Sequence, residues 1–173
     1  METYRRPIAF LLLLFSLLNG TPPAIGQPSH EPLLVFLVRH AEKEPTGSDP
    51  ILTEAGEARA QLLAKFLRDS SITNIHSTNY KRTWNTATPF AKQISKSIQN
   101  YDPRNHAALI QKIKATGGRH LVVGHSNTIP ALVRAFGGKP GGAIDEATEY
   151  DRLYILSFNE NGAVNTVLLR YGN

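Results

Sequence analysis

Cysteine is absent from all 173 residues. That excludes a disulfide framework and a lipid anchor attached through a thiol. The chain also lacks any basic run interleaved with aromatic residues; its net charge of +5 favours anionic partners in general, but nucleic acid is not one the sequence implies. No His-x-x-x-His pair and no Asp/His cluster is present to hold a metal. Gly138-Lys139 is followed by Pro140, where a phosphate-cradling loop needs Ser or Thr opening a helix, so that segment carries no such role. There is no internal repeat. The apolar run from Ile8 to Leu18 is too short to span a bilayer comfortably.

What that run does fit is a secretory signal. Arg5 and Arg6 precede it, a Gly/Pro-containing region follows, and Ala24-Ile25-Gly26 matches a small-x-small cleavage site, so residues 1–26 are expected to be removed on export to a periplasm or the medium. No membrane contact is expected after cleavage. Losing Arg5, Arg6 and Glu2 takes the net charge from +5 to +4. Residues 27–173 have the length of one domain with its own core.

Six unbroken apolar residues, Leu33 to Val38, form a run too short for a buried helix and rich in β-branched and aromatic types. They predict a central strand covered on both faces, with Arg39-His40 at its C-terminal end, the edge where open α/β sheets bind ligands. Pro45, Gly47 and Pro50 mark a loop, and Thr53 caps a helix with Glu54 and Glu57 in its first turn. Ala55, Ala58, Leu62 and Phe66, with Leu63 and Leu67, supply its expected apolar face. Ile72 to Ser77 is a second strand. From Lys81 runs a helix whose expected core face is Tyr80, Trp84, Ala87, Ala91 and Ile94, with Pro89 expected to kink or interrupt it.

Ser97 to Tyr101 reads as a third strand, and Asp102-Pro103 has the order of an N-cap and first-turn proline opening a helix that stops at Gly117-Gly118. His120 to Val123 is a fourth apolar strand, ending in Gly124-His125; Ser126-Asn127-Thr128 can cap the next helix, which stops at Gly137-Gly138. Lys139 to Glu149 is a Gly-rich loop. Leu153 to Phe158 and Ala163 to Arg170 close the chain as an antiparallel hairpin.

Alternation of helices and strands makes the first, second and fourth strands parallel, so that one edge gathers Arg39, His40, Arg82 and His125. Arg82 sits in a helix's first turn, where a cation is unfavourable unless an anion is near. Two guanidiniums, two imidazoles and free helix-start N–H groups suit a phosphoryl dianion. One imidazole can attack phosphorus while the arginines hold the equatorial oxygens. Arginines at the site also repel a divalent ion, so the chemistry calls for no metal and no cofactor. Gly124-His125-Ser126 resembles a nucleophile elbow with Ser126 as an esterase nucleophile, but position 128 is Thr where the elbow has Gly, and no histidine follows to serve as base.

Leu37-Val38-Arg39-His40-Ala41-Glu42 resembles the Arg-His-Gly signature of the histidine phosphatase superfamily, also called phosphoglycerate mutase-like. Leu52-Thr53-Glu54-Ala55-Gly56 is similar to that family's Leu-Thr-x-x-Gly helix start. Ser77 to Ala87 is similar to its Ser-Ser-x-x-x-Arg-Ala-x-Gln-Thr-Ala, and Val122-Val123-Gly124-His125 to its second histidine motif. The resemblance implies a three-layer α/β sandwich with a mostly parallel central sheet and one antiparallel strand near the C-terminus. It implies His40 as the phosphate-accepting nucleophile, with Arg39, Arg82 and His125 binding the phosphoryl group of a small phosphorylated substrate. Lys43 occupies a position where relatives place a substrate-contacting side chain. Ala41 stands where the motif has Gly, and the segment after the third strand has no glutamate to serve as general acid. Asp102 is the nearest carboxylate, with Glu42, Glu146 and Asp151 as rivals. The expected activity is an exported phosphatase; the alternatives are a non-catalytic phosphate-binding module, a mutase, which the absence of a cap insertion disfavours, and the serine esterase.

Overall fold

The computed structural model describes residues 32–159 and 161–172; the segment read as a signal peptide lies outside them. Four parallel strands and a C-terminal hairpin form one six-stranded sheet in the order β3-β2-β4-β1-β5-β6. The strands are β1 (Leu34–Arg39), β2 (Asn74–Ser77), β3 (Ile98–Asn100), β4 (Arg119–Gly124), β5 (Arg152–Phe158) and β6 (Val164–Arg170). The helices are α1 (Glu54–Phe66), α2 (Lys81–Gln93), α3 (His106–Thr116) and α4 (Thr128–Ala135). β1 pairs parallel with β4 and antiparallel with β5, so the sheet is mixed as expected.

The pleat of β1 divides the core. Phe36 and Val38 face α1 and α2, joining Leu63, Leu67, Phe90 and Leu121. Val35 and Leu37 face α3 and α4, joining Ile113, Ile129, Leu132 and Tyr154. Successive side chains on a strand point to opposite faces, so an unbroken apolar run is what a strand between two helical layers requires. Among the described residues no helix is long and apolar enough to cross a membrane.

Several local expectations shift. The buried face of α1 is Gly56, Ala60, Leu63 and Ala64, one position out of phase with the expected stripe; Ala55 and Ala58 are exposed, and Leu62 and Phe66 partly so. Gly56 sets this phase, because the carbonyl of Glu42 lies against it and a Cβ there would fall 2.1 Å from that oxygen. Thr53 caps α1 as read, accepting from Gly56 N at 3.1 Å. On α2, Thr83, Thr86, Ala87, Phe90 and Ala91 are buried, whereas Tyr80 and Trp84 are exposed by 39% and 40% and do not belong to the core. The helix continues through Pro89. α3 begins later than expected: Asn105 caps it by accepting from Ala108 N at 3.1 Å, while Asp102 and Pro103 form a separate turn. α4 starts at Thr128, and neither Asn127 nor any other residue gives it a side-chain cap bond of the usual kind.

Replacing Gly56 by alanine forces the helix away from the Glu42 carbonyl and should cost about 1–3 kcal/mol in urea unfolding, whereas Gly142→Ala, where an added Cβ meets nothing within 4 Å, should leave the midpoint unchanged.

Candidate active site

β1 and β4 end side by side, with Arg39 opposite Gly124 in the register. His40 N donates to the Gly124 carbonyl at 2.9 Å, which carries the pairing one residue past the strand and places His40 next to His125. The two imidazoles lie edge to face with centroids 5.6 Å apart. Gly124 has to be glycine: a Cβ there would meet Ile129 Cδ1 and the Tyr101 hydroxyl, both at 2.8 Å.

His40 is held in one orientation and one tautomer. Its Nδ1 lies 2.8 Å from the Ala41 carbonyl, which can only accept, so Nδ1 carries the proton and Nε2 keeps its lone pair. The Ala41 peptide is fixed in turn, its N–H donating to Thr86 Oγ1 at 3.0 Å while that hydroxyl donates to the Arg82 carbonyl at 2.7 Å. The start of α2 is thereby tied to the backbone of the nucleophile candidate.

His40, Arg82, His125 and Lys43 line one cleft of about 460 Å³, together with Tyr80 and Arg104. Arg82 lies over the Tyr80 ring at 4.5 Å, and that ring meets His125 edge-on at 5.2 Å. Burial first, then the charges of Arg39 and Arg82, push His40 down to about 3, and burial with Arg82 and Arg39 pushes His125 down to about 4. Both rings are therefore neutral at pH 7. Arg82 Nε, Arg39 Nε and His125 Nε2 are buried and find no hydrogen-bond partner among the described residues. Unpaired buried polar groups are costly and rare. Two of the three, on Arg82 and His125, belong to residues lining the cleft, and they fit a polar ligand such as an oxyanion.

The two helices that begin at the cleft share a further peculiarity. α1 and α3 have side-chain caps, whereas the caps of α2 and α4 make none, and neither α2 nor α4 has an acid in its first turn. Lys81 N donates to Asp49 Oδ1 at 3.0 Å, and the same carboxylate oxygen lies 3.8 Å from Arg82 Nη1. The remaining positive helix starts favour an anion.

Arg39 is placed differently from its sequence neighbour. The pleat turns it to the α3/α4 face, where Nη1 donates to the carbonyls of Asp145 (3.2 Å) and Glu149 (2.8 Å) and Nη2 to that of Glu146 (2.7 Å). The guanidinium also lies 3.9 Å from the centre of the Tyr150 ring. It stands behind the cleft, its Nε buried and without a hydrogen-bond partner among the described residues.

The structure does not bring Asp102 to the imidazoles. Its carboxylate is exposed, accepts from Arg104 N at 2.9 Å and Arg104 Nε at 3.1 Å, and is held below the usual carboxylate range by those bonds. An acid so stabilised as its anion is a poor proton donor. Glu42 is likewise engaged, gripping Arg59 through both oxygens at 2.9 Å, and Asp151 pairs with Arg170 at 2.6 Å. Glu146, the third rival, is the one carboxylate among the residues lining the cleft. Ser126 also lines it, but among the described residues no imidazole hydrogen-bonds to its hydroxyl. The contributions of Tyr80, Arg104, Thr86 and Tyr150 were not legible beforehand: Tyr80 sits at core spacing, and nothing near Tyr150 marks it as a partner for Arg39.

Residues 35–104 match the family model for the histidine phosphatase superfamily, branch 1. The chain is 31% identical over 133 residues to the probable phosphoglycerate mutase GpmB of Photorhabdus laumondii, an alignment covering 71% of this chain and 59% of that protein. The chain thus spans well under two thirds of that relative. Among solved structures, the protein histidine phosphatase SixA complexed with tungstate superposes with a TM-score of 0.65 at 17% identity, covering 80% of this chain and 97% of that one. A mycobacterial glucosyl-3-phosphoglycerate phosphatase with inorganic phosphate gives 0.64 at 15% identity, covering 82% and 97%.

The histidines themselves set an acid limit on stability. His40 and His76 titrate at about 3 and His125 at about 4 in the fold, and burial lowers His120 as well. An unfolded histidine titrates near 6.5, so between roughly pH 6.5 and 4 the unfolded chain takes up protons the native state refuses. Stability is complete above that window and drains away as pH falls through it. The urea midpoint should drop from pH 7 to pH 5; a flat profile would contradict the burial of these rings. With its motifs in order and its fold shared with these structures, the chain matches the histidine phosphatase superfamily over residues 35–104, the stretch that carries Arg39, His40 and Arg82.

Proposed function

We propose that the protein is a metal-independent phosphatase that acts on a small phosphorylated compound through a phosphohistidine at His40. The observation that carries this reading is the pairing of a tautomerically fixed, neutral His40 with unpartnered donors on Arg82, Arg39 and His125. His40 Nε2 attacks phosphorus, the P–O bond to the leaving group breaks, and Arg82, His125 and Arg39 Nε stabilise charge on the equatorial oxygens. Water then attacks the phosphohistidine, the P–N bond breaks, and its electron pair returns to Nε2.

Hydrolysis suits an open cleft, where Lys43 is half-buried and Arg104 exposed, so that water reaches the intermediate. The three similar proteins named above are a probable phosphoglycerate mutase and two phosphatases. Metal independence is supported by cations at the cleft and by the absence, among the described residues, of any three His, Cys, Asp or Glu side chains grouped to hold an ion.

His40→Ala should lower turnover of p-nitrophenyl phosphate by roughly 10³-fold or more, while chelators leave the native enzyme unaffected. Acid-labile label at position 40 after a brief exposure to substrate should accompany activity; turnover without it would argue for another mechanism. Export forms part of the same proposal and rests on residues 1–26. Protein recovered from outside the cytoplasm should begin at Gln27, and an intact Met1 terminus would count against it.

A further inference from the structure

Glu146 lies where two hollows meet. It lines the catalytic cleft, and with Ser126 and Asn127 it also lines an adjoining hollow of about 380 Å³ bounded by Pro130, Arg134 and Gly141. A substrate with its phosphoryl group against His40 and its remaining bulk in the second hollow passes its bridging oxygen by this side chain. The other carboxylates nearby are committed: Asp145 accepts from Ala147 N and Thr148, and Glu149 from Arg152 and Arg170. The Glu146 carboxylate accepts no hydrogen bond among the described residues. Its backbone is nonetheless held, because its carbonyl accepts from the buried Arg39 at 2.7 Å.

Resting on the phosphohistidine reading of His40, we infer that Glu146 is the proton donor to the leaving group, that Arg39 positions it, and that the adjoining hollow seats the leaving alcohol of a phosphomonoester. In the first step His40 Nε2 bonds to phosphorus as the bridging P–O bond breaks, and the proton on the Glu146 carboxyl moves to that oxygen to release an alcohol. In the second step the Glu146 carboxylate takes a proton from the attacking water as the P–N bond breaks, which restores both residues and yields inorganic phosphate. Asp102 has no part in either step.

The test is a series of phosphomonoesters whose leaving groups run from 2,4-dinitrophenol to a simple alkanol, with kcat/KM measured because it reports only the steps through P–O cleavage. Glu146→Gln should keep kcat/KM within a few-fold for the dinitrophenyl ester, which departs unprotonated, and lose on the order of 10²–10⁴-fold for the alkyl ester. Glu146→Asp should restore part of the alkyl rate. The Glu146 side chain is exposed and bonded to nothing that holds the fold, so the variants should match the native urea midpoint. Equal loss across the series, or no loss anywhere, overturns the assignment. Retention of dinitrophenyl phosphate hydrolysis by His40→Ala would instead overturn the phosphohistidine reading beneath it.

Discussion

A guanidinium buried at the end of the central strand is the constraint on which the cleft at this edge of the sheet depends. Arg39 is 1% exposed, and removing a charge from water is tolerable only when its donors are satisfied. Three loop carbonyls and the Tyr150 ring supply that satisfaction. The segment between α4 and β5 has no regular structure of its own, so these bonds, rather than a helix or ladder, fix its path. Arg152 completes the grip from the other end, donating to the carbonyls of Gly142 and Ala143 at 2.6 and 2.9 Å and to Glu149. A Gly-rich loop is thereby made into a wall of the cleft.

At the next residue the requirement is reversed: His40 is held uncharged. Burial and two neighbouring arginines hold both imidazoles neutral, which leaves a lone pair on His40 Nε2 and keeps the positive potential for an incoming anion rather than for protonating the rings. The start of α4, whose N-cap residue makes no side-chain cap bond, adds to that potential. The Nε of Arg82 and Nε2 of His125 are buried without a partner among the described residues, and leaving such groups unpaired costs stability.

The sheet, and the edge that gathers His40, Arg82 and His125, were legible because they rest on strong local signals. An apolar run ending in Arg-His, and a second ending in Gly-His, mark both a buried strand and the polar groups at its end. Where the reading slipped, the deciding contact was remote in sequence. The phase of α1 follows from the Glu42 carbonyl pressing on Gly56, a contact no window of α1 contains. Tyr80 and Trp84 keep core spacing on α2, but the same helix buries Thr83 and Thr86 because one hydroxyl holds the Thr78 turn and the other the peptide of Ala41. Asp102-Pro103 has the order of a helix start, yet Asn105 takes the cap and Arg104 takes the carboxylate. The separate fates of Arg39 and His40 follow from the pleat, and only the structure shows what covers each face.

Topology explains why a candidate acid can come from a loop so far along the chain. β5 is the one strand that runs against β1, with Leu153 opposite Val38, so it must begin at the edge where β1 ends. Whatever precedes β5 is delivered to the imidazoles without a crossover. The segment after β3 has no such advantage: β3 is separated from β1 by β2 and β4, and its Asp102 is exposed beside Arg104 instead of reaching the cleft. A proton donor supplied from the far side of the sheet would need a longer connection to arrive at the same point. The antiparallel strand brings Glu146 to the cleft by the shortest route, and Arg39, next to His40, holds its backbone carbonyl at 2.7 Å.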